Sequence, residues 1–476
     1  MLLYRFRWVF CQLDALHGCF PADLHRFLNE LPNTLDATYE RILKRINKAQ
    51  QDNTHRLLQC LTVAARPLRV EELVELLAFD CRASSSRGCP QLENWWWDEH
   101  EEAVLSICSS LIAIVRSGDS RVVQFSHFSV KEYLTSPRLV QSPCVDVSRF
   151  HIDLEAAHTV MAQACLATLL RPDEDDEESN TKRSPLVKYA AQYWVEHAQF
   201  EDVSSRVRDG MDDLFDSSKP HFAAWLQVHD IDEDWLKFSK KSGHRDGSPL
   251  YYAAFCGFYD LAERLITKHP DHINARGGLN LAPLPAALYK KHFRLANLLH
   301  KHGAKVDCRG WKKNTLLHSA TTDGIIDAMR WLLNHGADAN IRSDNSWTPL
   351  HAAASHAQIE CVQVLLDHNA NTNIQLDVHG YTPLYLAIDR REDALDVVRL
   401  LLEHGADPNL YKNSYFSPLH YASFLGRRET VRLLLSYGAQ VDAKNYRGLT
   451  PFQGAASHGH REIMKLLLEH GAVPPP

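Results

Sequence analysis

The sequence predicts a mainly α chain whose second half is a solenoid of about seven short repeats. A helix-starting position recurs at Pro249, Pro283, Leu316, Pro349, Pro383, Pro418 and Pro451, with steps of 34, 33, 33, 34, 35 and 33 residues. A Leu-Leu pair and a Gly-Ala step recur from the second period on, the glycine position falling at Gly303, Gly336, Asn369, Gly405, Gly438 and Gly471. The first half lacks this period and shows helical patterning with one hairpin, so it predicts a separate helical base.

Each word of the repeat has a physical job, clearest from Thr348-Pro349-Leu350-His351 to Leu365-Leu366. Pro at the first helical position sacrifices only an amide that would be unbonded anyway. Thr before it caps the helix through its hydroxyl. Leu and paired alanines keep the first helix thin, so that neighbouring repeats approach. The Leu-Leu pair supplies core, at roughly 1.5–3 kcal/mol per fully buried side chain. Gly then takes the left-handed position that ends the second helix, a conformation that Asn369 also tolerates. Two extra residues near Asp389-Arg390-Arg391-Glu392-Asp393 read as a longer loop between the helices of the fifth repeat. No repeat buries its apolar face alone, so stability comes from stacking. The period and wording resemble the ankyrin repeat family, which implies a binding surface.

Many of the 27 histidines stand in repeat words. His318, His351 and His420 occupy the helix start, where the resemblance implies a structural hydrogen-bonding group that ties turns together. His302, His335, His368, His404 and His470 lie near second-helix ends, where protonation would be favoured by the helix dipole.

Residues 31–140 read as three helices and a hairpin. Leu35, Tyr39, Ile42, Leu43 and Ile46 share one helical face after the start Leu31-Pro32-Asn33-Thr34. A second helix is expected near Thr54–Ala64 and a third over Val70–Phe79 after the turn at Arg66-Pro67. Leu111–Val115 and Val122–Phe125 flank Ser117-Gly118-Asp119-Ser120, the pattern of a β-hairpin. Helices followed by such a hairpin make a winged-helix-like domain. Residues 141–242 form a helical linker region with an acidic loop at 172–180, where six consecutive acidic residues (173–178) repel one another. Leu154–Leu170 reads as a buried helix, and Leu186–Trp235 as helical with buried Tyr189, Tyr193, Trp194, Phe222, Trp225 and Trp235. The repeats occupy 243–476.

The wording "LPNTLDATYERIL", "ARPLRVEELVELLAFD" and "VVQFSHFSVKEYLTS" resembles the segment after the nucleotide-binding domain in fungal NACHT–ankyrin proteins, NLR-like relatives of intracellular immune receptors. "FRWVFCQLDALHGC" resembles the end of that NTPase, so 1–30 is read as its remnant; "SPLVKYAAQYWVEHA" resembles the helical segment leading to the repeats. The phosphate loop Gly-x-x-x-x-Gly-Lys-Ser/Thr that such an NTPase requires is missing from the sequence. The expectation is a truncated gene, a misassigned start or a stand-alone scaffold. The same winged-helix type is sometimes labelled after GPI inositol-deacylases, but no Gly-x-Ser-x-Gly elbow occurs.

A net charge of −7 gives no electrostatic footprint for nucleic acid. Eleven scattered cysteines suit reduced thiols in a cytoplasmic or nuclear protein, and Cys81 with Cys89 lacks the second pair that zinc spacing needs. No signal peptide or membrane span is expected, and no cofactor, metal, catalytic residue or small-molecule substrate. The reading is a non-catalytic protein–protein interaction scaffold, the partner-sensing half of an NLR-like signalling protein. The alternatives are a DNA-associated regulator using the basic helix of Arg41, Lys44, Arg45 and Lys48, or the output half of an ATPase whose NTPase is missing. A protein partner is expected on the concave face, at the turn tips carrying Arg309, Trp311, Lys312, Arg342, Trp347, His379, Tyr381, Tyr411, Lys412, Phe416, Tyr446 and Arg447. Aromatic and Arg side chains dominate interface hot spots.

Overall fold

The computed structural model describes residues 34–80, 91–92, 104, 110–118, 120–171, 184–229, 231, 247–275, 277, 282–307, 314–377, 380–389, 394–411 and 416–474. They fall into two units, one of residues 1–249 with 258–265, the other of 250–257 with 266–476.

In the first unit Thr34 caps α1 (Leu35–Lys44), its hydroxyl accepting from the Ala37 amide at 3.2 Å. Tyr39 and Leu43 are buried on the inner face, while Ile46 lies past the helix end. α2 (Gln51–Val63) starts three residues before the Thr54 read from sequence, and both Gln51 and Thr54 are buried in it. β1 (Leu68–Arg69) leads into α3 (Val70–Ala78), followed by β2 (Phe79–Asp80), paired with β3 (Gln91–Leu92). β4 (Ile112–Ser117) and β5 (Ser120–Phe125) form the expected hairpin, and β1 pairs antiparallel with β5, giving the sheet order β1-β5-β4. Three helices with that sheet are a winged helix. Its internal lock is Glu72, fully buried, which accepts from Arg66 at 2.7 and 2.8 Å, from the Arg69 side chain at 2.9 Å and from the Arg69 amide at 2.8 Å. Burial alone would raise its pKa, but the two guanidiniums hold it below the ordinary carboxylate value.

α4 (Leu154–Leu169) is the buried helix expected from sequence, packed on α2 and on α5 (Val187–Ala198). Fully buried Trp194 meets Trp225 edge-on at 5.3 Å and stacks on Phe258 at 5.5 Å. Tyr189 and Phe222 are buried as expected and Tyr193 is half-buried. Trp235 and the acidic run 173–178 lie outside the described residues, as do the loop at 390–393, Cys81 and Cys89.

In the repeats, helices start at all seven aligned positions, from Pro249 to Pro451. The Gly-Ala positions all have positive φ, including Asn369 at 61°. From the third repeat onward each first helix packs against the next, and each second helix likewise. A ladder not anticipated from the sequence ties the turns. Asn373 Nδ2 donates to the Gly405 carbonyl at 3.0 Å while its Oδ1 accepts from the Asp407 amide at 2.8 Å. Asn274, Asn340 and Asn409 do the same toward the following repeat. Asp442 fills the last such slot, where its carboxylate accepts from the Val473 amide and has no N–H to donate. No helix among the described residues is long and apolar enough to cross a membrane.

Candidate interaction surface

Position in the repeat decides which side chains meet. The helix-start imidazoles bridge consecutive turns. His318 Nδ1 is 2.9 Å from the Thr315 hydroxyl and its Nε2 is 2.9 Å from the Trp347 carbonyl. His351 repeats this with Thr348 at 2.8 Å and Tyr381 at 3.3 Å, and His420 with Ser417 at 2.7 Å and Leu449 at 2.9 Å. The amide before each helix also points at Nδ1. Nδ1 is therefore the acceptor, and the proton sits on Nε2, facing the next turn. The second-helix histidines bond back onto their own helices. Nδ1 of His335, His368, His404 and His470 lies 2.7–2.9 Å from the carbonyl four residues earlier.

Two of the tip residues singled out in the sequence, Trp347 and Tyr381, are thus fixed by their own carbonyls to the preceding repeat. Trp347 is half-buried, 6.2 Å from the His351 ring. Tyr381 stacks on Tyr385 at 4.4 Å and 8°. Phe416 packs 6.5 Å from Tyr421 and 6.0 Å from Phe424. Arg342 is engaged across repeats, 3.0 Å from Asp377, which also accepts from the Ser346 hydroxyl. Tyr446 is 57% exposed with the Arg447 guanidinium 5.1 Å over its ring. Tyr411 is half-buried. Arg309, Trp311, Lys312, His379 and Lys412 lie outside the described residues.

The sequence reading missed the aromatic side chains on the first helices themselves. Tyr385 stacks on Tyr421 of the next repeat at 4.9 Å and 16°, and Phe424 lies 4.2 Å from His458 of the one after. Tyr381, Tyr385, Tyr421, Phe424 and His458 thereby run as a continuous aromatic ribbon across the fifth to seventh repeats. Tyr421 donates its hydroxyl to Asp389. Burial and the neighbouring Asp389 carboxylate hold the phenols of Tyr385 and Tyr421 well above the ordinary tyrosine value. The available signal was a departure from the small-residue rule, since Tyr421 and Phe424 stand where the fourth repeat has Ala352 and Ser355.

Residues 250–343, 317–412 and 405–475 match the sequence pattern of ankyrin repeats, and 40–144 match that of the GPI inositol-deacylase winged helix domain. The azaphilone pigments biosynthesis cluster protein L of Monascus ruber is 31% identical over 301 residues, an alignment covering 60% of this chain. The chain spans 62% of the length of that relative. A putative ankyrin repeat protein of fowlpox virus (strain NVSL), FPV222, is 46% identical over 44 residues, 9% of this chain and 6% of the viral one. Among solved structures, the ankyrin repeat domains of Bcl-3, a member of the IkappaB protein family, and of human ASB11 are each 28% identical. Each covers 48% of this chain and 100% of its own, with TM-scores of 0.43 and 0.38. The chain is thus a mostly helical protein in which a winged helix of the GPI inositol-deacylase type precedes an array of ankyrin repeats.

Proposed function

We propose that this protein is a non-catalytic scaffold, the partner-sensing half of an NLR-like signalling assembly, and that it grips a protein partner through the turn tips and first helices of its third to sixth repeats. Ankyrin repeats mark a protein-interaction scaffold; the placing of the contact is the further step. The observation that carries it is the aromatic ribbon with Trp347 and Phe416 beside it. Stacking of repeats favours small residues on the first helices, yet half-buried Tyr421 and Phe424 stand at such positions in the sixth repeat. Rigid rings bury much area at little entropic cost. The winged-helix match and the wording of the first half support the NLR-like assignment.

The test is a pull-down from lysate of the source cells with the wild type and a Trp347→Ala/Phe416→Ala double variant. Loss of specific partners with an unchanged thermal melt is expected. Identical recovery would move the surface elsewhere, to the winged-helix half first.

A further inference from the structure

The unusual rings of the sixth repeat have an unusual neighbour. Tyr421 and Phe424 are half-buried, three and six positions after Pro418. The Tyr421 hydroxyl bonds to Asp389, the exposed last residue of the fifth repeat's first helix, Pro383–Asp389. Among the described residues Asp389 makes no ion pair, and no cation lies over Tyr421 or Phe424.

Elsewhere the array supplies its own cations to such groups. Lys290 Nζ lies 4.2 Å over the ring of Phe255, which occupies in the first repeat the position that Phe424 occupies in the sixth. Arg447 covers Tyr446 at 5.1 Å, and Arg342 pairs with Asp377 at 3.0 Å. At the position equivalent to Lys290, the seventh repeat presents His458, tilted against Phe424 at 4.2 Å. Aromatic rings and an exposed carboxylate thus meet at one place where, among the described residues, the chain supplies no Lys or Arg of its own.

We infer that the patch formed by Tyr421, Phe424 and Asp389 receives an arginine side chain from an extended segment of the partner. This rests on the reading of the array as a partner surface and names the chemistry of what it holds. A guanidinium is planar, so it stacks on an aromatic face while its N–H groups reach a carboxylate. A carboxylate such as that of Asp389 offers about four acceptor positions, of which the Tyr421 hydroxyl uses one. A lysine ammonium has the charge and lacks the plane, so it satisfies half of the site. An acidic segment is repelled.

The experiment uses the full chain and three Gly/Ser nonapeptides carrying two arginines, two lysines or two glutamates. Ligand-observed saturation-transfer NMR at physiological salt reads weak binding directly. The arginine peptide should bind several-fold more tightly than the lysine peptide, and the glutamate peptide should show no transfer. Asp389→Asn and Tyr421→Ala should each weaken arginine binding about tenfold. Tyr421→Phe keeps the ring face and the fold, and should retain most of it. Equal binding of arginine and lysine peptides, or an Asp389→Asn variant that binds like the wild type, overturns the inference. Arg390 and Arg391 follow Asp389 in sequence, so the titration is repeated on Arg390→Ser/Arg391→Ser. Binding seen only in that variant would assign the patch to the chain's own arginines and overturn it equally. A partner captured by the wild type and lost by Trp347→Ala/Phe416→Ala would leave the scaffold reading standing whatever these peptides do.

Discussion

His318 and Trp347 lie 29 residues apart in sequence and are joined by one hydrogen bond, 2.9 Å from imidazole Nε2 to main-chain oxygen. The other face of the ring is held by the Thr315 amide and hydroxyl, so a single neutral side chain fixes its own helix start and the next repeat's turn. Trp347, one of the residues proposed to meet a partner, therefore inherits its position from a buried residue one repeat away. His318→Ala should leave the Trp347 carbonyl and the Thr315 amide without partners, costing about 1–3 kcal/mol. His318→Gln should cost less, because Gln453 already fills this slot in the last repeat, where its Oε1 accepts from the Thr450 amide at 2.9 Å. Equal urea midpoints for the two variants would contradict the bridging role.

Acid should loosen both units, for a reason readable in the tautomers. His351 is pushed down to about 4 by burial, and His197 to about 3 by burial and by His158 beside it. In each case protonation would place a hydrogen on a ring nitrogen that now accepts, or force charge into a dry site. Unfolded histidine titrates near pH 6.5. Below that pH the unfolded chain takes a proton that the native chain refuses, so stability falls as pH drops toward the folded values. The expected loss between pH 7 and pH 4 is on the order of a few kcal/mol. His351→Gln should flatten the pH dependence of the melting temperature of the repeats; an unchanged slope would show that carboxylates alone govern it.

Asn369 separates backbone conformation from side-chain packing. Its φ of 61° is left-handed, the region that Gly303, Gly336, Gly405, Gly438 and Gly471 occupy at the same point of their repeats. Asn369→Gly should be neutral or slightly stabilising, whereas Asn369→Ala should cost about 1–2 kcal/mol. Leu350→Ala, at a side chain 1% exposed in the core of the fourth repeat, should cost about 2–5 kcal/mol by opening a cavity. Thermal melts that ranked Asn369→Gly below Asn369→Ala would show that something other than the turn selects asparagine.

A fragment from Gly243 to Pro476 should fold without behaving uniformly. Phe258–Leu265, within the second helix of the first repeat and its lead-in, groups with the first unit, where Phe258 stacks on Trp194 and Arg264 pairs with Asp212 at 2.6 Å. Hydrogen exchange on the fragment should find Tyr259–Lys268 unprotected and the third to sixth repeats slow. Uniform protection from the first repeat onward would mean that this helix needs nothing from residues before 243.

The intact chain should show no saturable binding of ATP or GTP and no hydrolysis of either, since the sequence lacks the glycine loop and lysine that cradle phosphates. Micromolar binding in equilibrium dialysis would be decisive against this.

Much of the fold was written in local chemistry. Pro383 and Pro418 start helices because their rings preset φ, Gly405 and Gly438 end them because they accept positive φ, and Asn369 substitutes for the same reason. The alternation of apolar positions placed Leu43, Leu73 and Leu365 in cores, and the hairpin followed from two short apolar runs around Gly118. These properties depend on a residue and its near neighbours, so the sequence by itself determined them. The tertiary structure decided what meets across repeats. Nothing within thirty residues of Tyr421 announces that its ring will lie on Tyr385 and its hydroxyl on Asp389. The amide of Asn373 reaches Gly405 only because stacking brings the two turns side by side. The helix Tyr259–Lys268 carries repeat wording, yet most of it groups with the first unit, since burial of Phe258 against Trp194 is a matter of which apolar surface is nearest in space. Periodicity fixes where helices begin and which face is apolar; it leaves open which neighbour covers that face, because that choice is made by contacts among residues far apart in the chain.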